Sequence, residues 1–463
     1  MSERLSAVDV SFLYLESPTT AMHVGEVAIF QPPAGKTMSD LYGAVRRLVS
    51  ERITLVPRYR QKVRFVPGRI ANPVWVDDEA FDIGYHVRRS ALPRPGTIDQ
   101  LRELVGRVQS RHLDRGRPLW ELYFVEGLED GRFAMLTKTH HAMVDGEDIL
   151  DIGSLILDAT AKPRKTPADG WVPEREPSMV GLVVDAVEDT LRRPTQVLDT
   201  VRAGVADARA LTQRAFGVLS AAGASLRPAP ASPLNVVVGG QRRFGMAATD
   251  LDDYKRVRAA HGGTVNDVVL ATVSGALRIW LLTRGESVRP STTVRAMVPV
   301  SVRGDEDATG SLGSRVASYF VDLPVGEPSP LVRLHHVSYA MKAHVESSRA
   351  VRANTMVALS GFAPPTIHSA AARLASGLTS RLFNVVVTNV PGPQYPLYAA
   401  GTQLLETYPV VPLGRGQAVS VGLTSYDGGV YFGLNADRDA MPDVDVLAQC
   451  LEESLSELVE TLR

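Results

Sequence analysis

The chain has 463 residues, 44% of them hydrophobic and 22% charged, with a formal net charge of −1. That length supports two or three domains with sizeable cores, and the near-neutral balance removes a general electrostatic case for nucleic acid or an anionic membrane as partner. The single cysteine, Cys450, excludes an intrachain disulfide.

Glu3, Arg4 and Asp9 stand near the N-terminus with no long apolar stretch behind them, and no run of about 18 apolar residues follows, so the expectation is a cytoplasmic chain, or one peripheral on a membrane. Residues 24–30 read as a strand, 38–51 as a helix, and 97–113 as a second helix carrying Leu101, Leu104 and Leu113. Repeated strand and helix signals of this kind indicate a layered α/β domain. From Ala161 the texture changes to a mixture of proline and charge, Lys162-Pro163-Arg164 and then Trp171-Val172-Pro173-Glu174, which marks a boundary. Residues 179–226 have helical periodicity broken at Pro194 and ended by Pro228, Pro230 and Pro233, and read as a helical linker or cover. A second α/β segment begins near Leu234. Its clearest helix, 265–282, has Thr264 as N-cap, and strands are expected at 293–299, 317–323, 383–388, 419–426 and 430–434. Cys450 falls with Leu447, Leu451, Leu455 and Leu458 on the buried face of a C-terminal helix. The domains are thus 1–160, a linker 161–233, and 234–463.

The chemistry concentrates at His140-His141-Ala142-Met143-Val144-Asp145-Gly146, where a predicted strand over 133–139 gives way to a loop. A neutral imidazole can remove a hydroxyl proton near neutral pH, which a carboxylate such as Asp145 cannot. Neighbouring side chains in extended backbone point to opposite faces, so one histidine can face a cleft while the other props the body of the protein. Asp145 can orient a ring or pair with an arginine, and Gly146 permits a tight turn. No metal is expected, because adjacent histidines rarely converge on one ion and no HExxH or CxxC spacing is present. Also absent are GxSxG, a phosphate loop and GxGxxG after a strand. Asp77-Asp78 and Asp252-Asp253 read as solvated surface or caps, and His335-His336 as structural members of a helix.

HHxxxDG in a large α/β chain resembles the coenzyme A-dependent acyltransferase superfamily. Leu15-Glu16-Ser17-Pro18-Thr19-Thr20, Met22-His23-Val24-Gly25, Pro118-Leu119-Trp120-Glu121, Asn266-Asp267, Val298-Pro299-Val300-Ser301-Val302-Arg303 and Asn389-Val390-Pro391-Gly392-Pro393 narrow the likeness to the bacterial wax ester synthase/diacylglycerol acyltransferase family. Gly313-Ser314-Arg315 departs from the Gly-Asn-Arg of that pattern. The resemblance implies two chloramphenicol acetyltransferase-like domains, each a mixed sheet with flanking helices, joined by a helical linker. It further implies transfer of a long-chain acyl group from acyl-coenzyme A, a co-substrate rather than a bound cofactor, to diacylglycerol or a long-chain alcohol. His141 would be the base, with His140, Asp145 and Gly146 supporting it and Asn266 as the oxyanion donor. Pro118, Leu119 and Trp120 would shape the packing on the substrate side, and Asn389, Pro391 and Gly392 would line the substrate path. Arg303 is one potential partner of Asp145. Insoluble acceptors place the enzyme at the surface of the inner membrane or of lipid droplets. The alternatives are a relative that binds acyl-coenzyme A or lipid with little turnover, and an acyltransferase for a polar alcohol.

Overall fold

The computed structural model describes residues 3–143, 152–192, 228–302, 315–346, 351–352 and 382–463. Among the described residues, a six-stranded sheet runs in the order Tyr398–Ala399, Thr402–Val410, His23–Gln31, Phe133–His140, Trp120–Glu126, Val87–Ala91. Only its last pair is parallel. A seven-stranded sheet runs Val351–Arg352, Arg315–Leu323, Val294–Val302, Val385–Pro391, Val419–Tyr426, Gly429–Asp437, Arg242–Asp250, with Val385–Pro391 parallel to both neighbours. A third sheet of three short strands joins Glu3–Arg4, Val74–Asp77 and Gln61–Arg64. The expected mixed α/β architecture is borne out.

The first sheet is covered on both faces, which strand alternation makes possible. Ala28, Phe30, Phe124 and Phe133 pack with Leu41, Val45 and Val49 of the Met38–Arg52 helix. Val27, Ile29, Tyr123 and Leu136 pack instead with Leu101, Leu104 and Val105 of the Ile98–Gln109 helix. Both helices start within a residue of where the sequence expects, after the cap residues Thr37 and Thr97, each closing a reciprocal capping box, and the second ends at Gln109 rather than 113. All eight residues of Phe133–His140 are buried, the apolar Phe133–Leu136 and the polar Thr137, Lys138, Thr139 and His140 alike, so burial along this strand is continuous rather than alternating.

Two features tie the halves together. Phe244 and Met246 of the second sheet belong to the same apolar cluster as the Ile98–Gln109 helix. The Thr402–Val410 strand, from the C-terminal half of the sequence, lies beside His23–Gln31 in the first sheet. It crosses the second sheet at Gly422 and Gly433, which face each other in register. A side chain at Gly433 would collide with the Pro409 carbonyl oxygen, and one at Gly422 would meet Val411 and Pro409. Glycine there is a requirement of close backbone approach.

The second core centres on the Val265–Thr283 helix, packed with the Val444–Glu460 helix that buries Cys450, Leu451, Leu455 and Leu458. Val265–Thr283 has the length and hydropathy of a membrane span, but most of it lies inside this core. Within the linker, residues 161–178 and 228–233 are described without helix, and a helix over Met179–Arg192 buries Leu182 and Ala186 and leaves Met179, Val180, Val184 and Val187 exposed. Residues 193–227 lie outside the described set. One expectation needs correction. Asp78 is buried rather than solvated, because Lys62 reaches its carboxylate at 3.3 Å and the Ala80 N–H donates to it.

Candidate active site

The histidine pair is hung from the end of the central strand by two backbone hydrogen bonds and one from backbone to side chain. His23 lies opposite His140 in the ladder. The His140 N–H donates to the Leu119 carbonyl at 2.9 Å and the His141 N–H to the Met22 carbonyl at 2.8 Å. A 3-10 turn, His141–Met143, then begins, and the Ala142 N–H donates to His140 Nδ1 at 3.1 Å. Since Nδ1 accepts, the neutral ring carries its proton on Nε2. That atom faces Glu16 Oε2 at 3.7 Å.

His141 turns the other way. Its ring stacks on Phe12 with centroids 3.9 Å apart and planes 18° from parallel. Phe12 belongs to the Ala7–Leu15 helix, started by a capping box between Ser6 and Asp9. His141 keeps part of its surface accessible, while Nδ1 is enclosed with no partner beyond its own backbone. Burial, assisted by the neighbouring His140, lowers the His141 pKa to about 4. The ring is therefore neutral at physiological pH.

Glu16, which immediately follows that helix and lies outside HHxxxDG, is the centre of a buried polar cluster. Its side chain is 6% exposed, and Arg115 Nη2 holds Oε2 at 2.5 Å while also donating to the Leu13 carbonyl at 2.8 Å. His23 Nε2 lies 3.4 Å and His112 Nε2 3.9 Å from Oε1. Burial opposes ionisation of Glu16, but His140, His23 and Arg115 outweigh it and hold the carboxyl far below the usual range. The His23, His112 and His140 separations exceed good hydrogen-bond length, so these three act on Glu16 chiefly through charge and dipole. Burial pushes His23 down to about 3 and Lys138 to about 8. Lys138 donates to the Val108 and Arg111 carbonyls. Among the described residues, no three His, Cys, Asp or Glu side chains group as a metal site would require.

Pro118, Leu119 and Trp120 are buried behind the pair. Trp120 Nε1 donates to the Tyr59 carbonyl at 2.8 Å, and its indole stacks on His86 at 4.5 Å. Asn266 and Asn389 are brought together: Asn389 Nδ2 donates to Asn266 Oδ1 at 3.1 Å. Asn266 lies in the first turn of Val265–Thr283, after the Thr264 cap. Pro391 is exposed at the end of Val385–Pro391, and the Gly392 N–H donates to the Ser425 carbonyl at 2.9 Å. Among the described residues, no hydrogen bond links this asparagine pair to the histidine pair. Asp145, Gly146, Arg303, Gly313 and Ser314 lie outside the described residues.

Two mixed sheets with flanking helices thus carry a histidine pair at a strand end. The model for the wax ester synthase/diacylglycerol acyltransferase catalytic domain matches residues 5–269. That for the family's C-terminal domain matches 312–459. A probable diacylglycerol O-acyltransferase of Mycobacterium tuberculosis, tgs2, is 36% identical over 460 residues, covering 98% of each chain. Another from the same organism, tgs3, is 47% identical over 267 residues, 56% of this chain and 97% of its own. The wax ester synthase/diacylglycerol acyltransferase from Marinobacter aquaeolei VT8 superposes with a TM-score of 0.71 at 29% identity, covering 99% of each chain. At 16% identity, the first condensation domain of the calcium-dependent antibiotic synthetase shares the fold, with a TM-score of 0.56 and coverage of 100% of this chain and 96% of that one. The chain belongs to the wax ester synthase/diacylglycerol acyltransferase family, and it is an acyltransferase.

Proposed function

We propose that the protein transfers a long-chain fatty acyl group from acyl-coenzyme A to diacylglycerol, giving triacylglycerol, and to long-chain alcohols, giving wax esters, with His141 as general base. The supporting observation is His141 itself, a neutral imidazole with Nδ1 enclosed, fixed at a strand end by the Met22 carbonyl and the face of Phe12. Nε2 is then the atom that takes the acceptor hydroxyl proton as the oxygen attacks the thioester carbonyl. The tetrahedral intermediate collapses by expelling coenzyme A thiolate, to which the imidazolium returns the proton. A positioned base accounts for about 10²- to 10⁴-fold, and alignment and oxyanion stabilisation supply the remainder.

Asn266 is the proposed oxyanion donor. Its carbonyl is taken by Asn389, which leaves its own amide N–H groups for the developing charge. His140, together with Asp145 and Gly146 of the same motif, supports the base, Pro118, Leu119 and Trp120 form its backing, and Asn389, Pro391 and Gly392 belong to the substrate path. Acyl-coenzyme A is a co-substrate. The acceptors are nearly insoluble, so the enzyme acts in the cytoplasm at a membrane or droplet surface. The exposed Met179, Val180, Val184 and Val187 on the linker helix are the proposed contact.

An acceptor screen with radiolabelled palmitoyl-coenzyme A tests the substrate class. Ester with diacylglycerol and hexadecanol is expected. Ester with polar alcohols alone, or none with any acceptor, contradicts the lipid assignment.

A further inference from the structure

We propose that Glu16, clamped by Arg115, is a positioning residue that fixes the His140 tautomer and through it the turn bearing His141. The proposal rests on the acyl-transfer reading above and extends it to a residue outside HHxxxDG.

Three contacts carry it. The Ala142 N–H needs an acceptor, and the one it finds is His140 Nδ1. That nitrogen accepts only while the proton sits on Nε2, which is buried and has the Glu16 carboxylate, 3.7 Å away, as its polar neighbour. A carboxylate there favours the N–H tautomer pointing at it and disfavours the alternative, which would set two protons, on Nδ1 and on Ala142 N, against each other. Arg115 keeps the carboxylate in place by binding both Oε2 and the Leu13 carbonyl at the end of the preceding helix. That same helix presents Phe12 to His141. One short segment, 12–16, thus braces both histidines, one through a ring face and the other through a charge. Burying an ionised carboxylate is costly unless it is paired and oriented, and Arg115 meets that condition at this 6% exposed site.

The test uses the full-length protein and two independent readings. Glu16→Ala is expected to lower kcat on the order of 10²-fold, with KM for palmitoyl-coenzyme A within about twofold, because the base is displaced rather than the substrate site. Glu16→Gln, which keeps a carbonyl dipole beside Nε2 but loses the charge, is expected to restore only part of that loss. In a His140→Ala background, Glu16→Ala should cost nothing further; an undiminished second loss overturns the proposal. The other reading is independent of turnover. In ¹⁵N-histidine spectra, with His140 assigned by its disappearance in His140→Ala, the wild type should show an unprotonated Nδ1 that Glu16→Ala converts to a mixed or reversed tautomer. An unchanged tautomer also overturns the proposal. Should Glu16→Ala not fold, Arg115→Met is the second variant, with a smaller kcat loss and a mixed His140 tautomer expected and no change in either contradicting the clamp. A wild type that forms no ester, yet whose His140 tautomer follows Glu16, removes the acyl-transfer reading and leaves the positioning contact supported.

Discussion

At His141 the physical question is how a ring made less basic by burial can still act as a base. Depression to about 4 keeps the imidazole unprotonated across the whole physiological range, at the cost of a weaker pull on the acceptor proton. The sign follows directly: activity is lost only as pH falls through the folded-state value. The acid limb of kcat/KM should therefore lie well below 6.5, near 4 to 5, and a limb centred at 6.5 would show that the ring is not buried as described. Asn266→Ala should lower kcat by about 10²- to 10³-fold with a small change in KM, if its amide meets the oxyanion. A KM effect alone would make it a binding or capping residue instead. His140 and His141 were legible from their spacing, and strand alternation foretold that they would point apart. Glu16 was not, because its separation of 124 positions from His140 closes only through tertiary structure, and a glutamate at the end of a helix gives no local sign of burial.

The elements recognised from sequence were those with a clean period or a cap: Val419–Tyr426, the Thr97 and Thr264 helices, and the C-terminal helix with Cys450. The Thr402–Val410 strand carries no clean period, because a bulge between Leu404 and Glu406 shifts its register, so burial stops alternating midway. Arg242–Asp250 was hidden by a charge at its start, since buried Arg242 pairs with Asp437 inside the protein rather than marking surface. The crossing of Thr402–Val410 over the second sheet yields an element-scale prediction. Gly433→Ala should destabilise the protein by about 3 kcal/mol or more, because Pro409 is backbone and cannot yield as a side-chain tip would. Equilibrium urea unfolding reads this directly, and a change under about 0.5 kcal/mol would mean that the sheets do not meet there.

For the molecule as a whole, that borrowed strand means the two halves of the sequence are not independent. A fragment of residues 1–233 lacks Thr402–Val410 and so exposes the edge of His23–Gln31. It should be insoluble or lack cooperative unfolding by circular dichroism; a soluble, cooperatively folded fragment contradicts the interlock. Acid stability is a property of the same scale. Burial lowers His23 to about 3, and His86 and His141 each to about 4, so the unfolded chain takes up protons below about 6.5 while the folded chain refuses them. Stability is accordingly complete above 6.5 and declines as pH falls toward 4, which a series of Tm measurements should record.

The most direct measurement is ester formation from palmitoyl-coenzyme A and diacylglycerol by purified wild type and His141→Ala, each checked for an unchanged Tm. A loss of at least about 10²-fold in the folded variant is the result expected of a general base. Ester formed by folded His141→Ala at the wild-type rate would contradict the assignment of this imidazole to the chemistry.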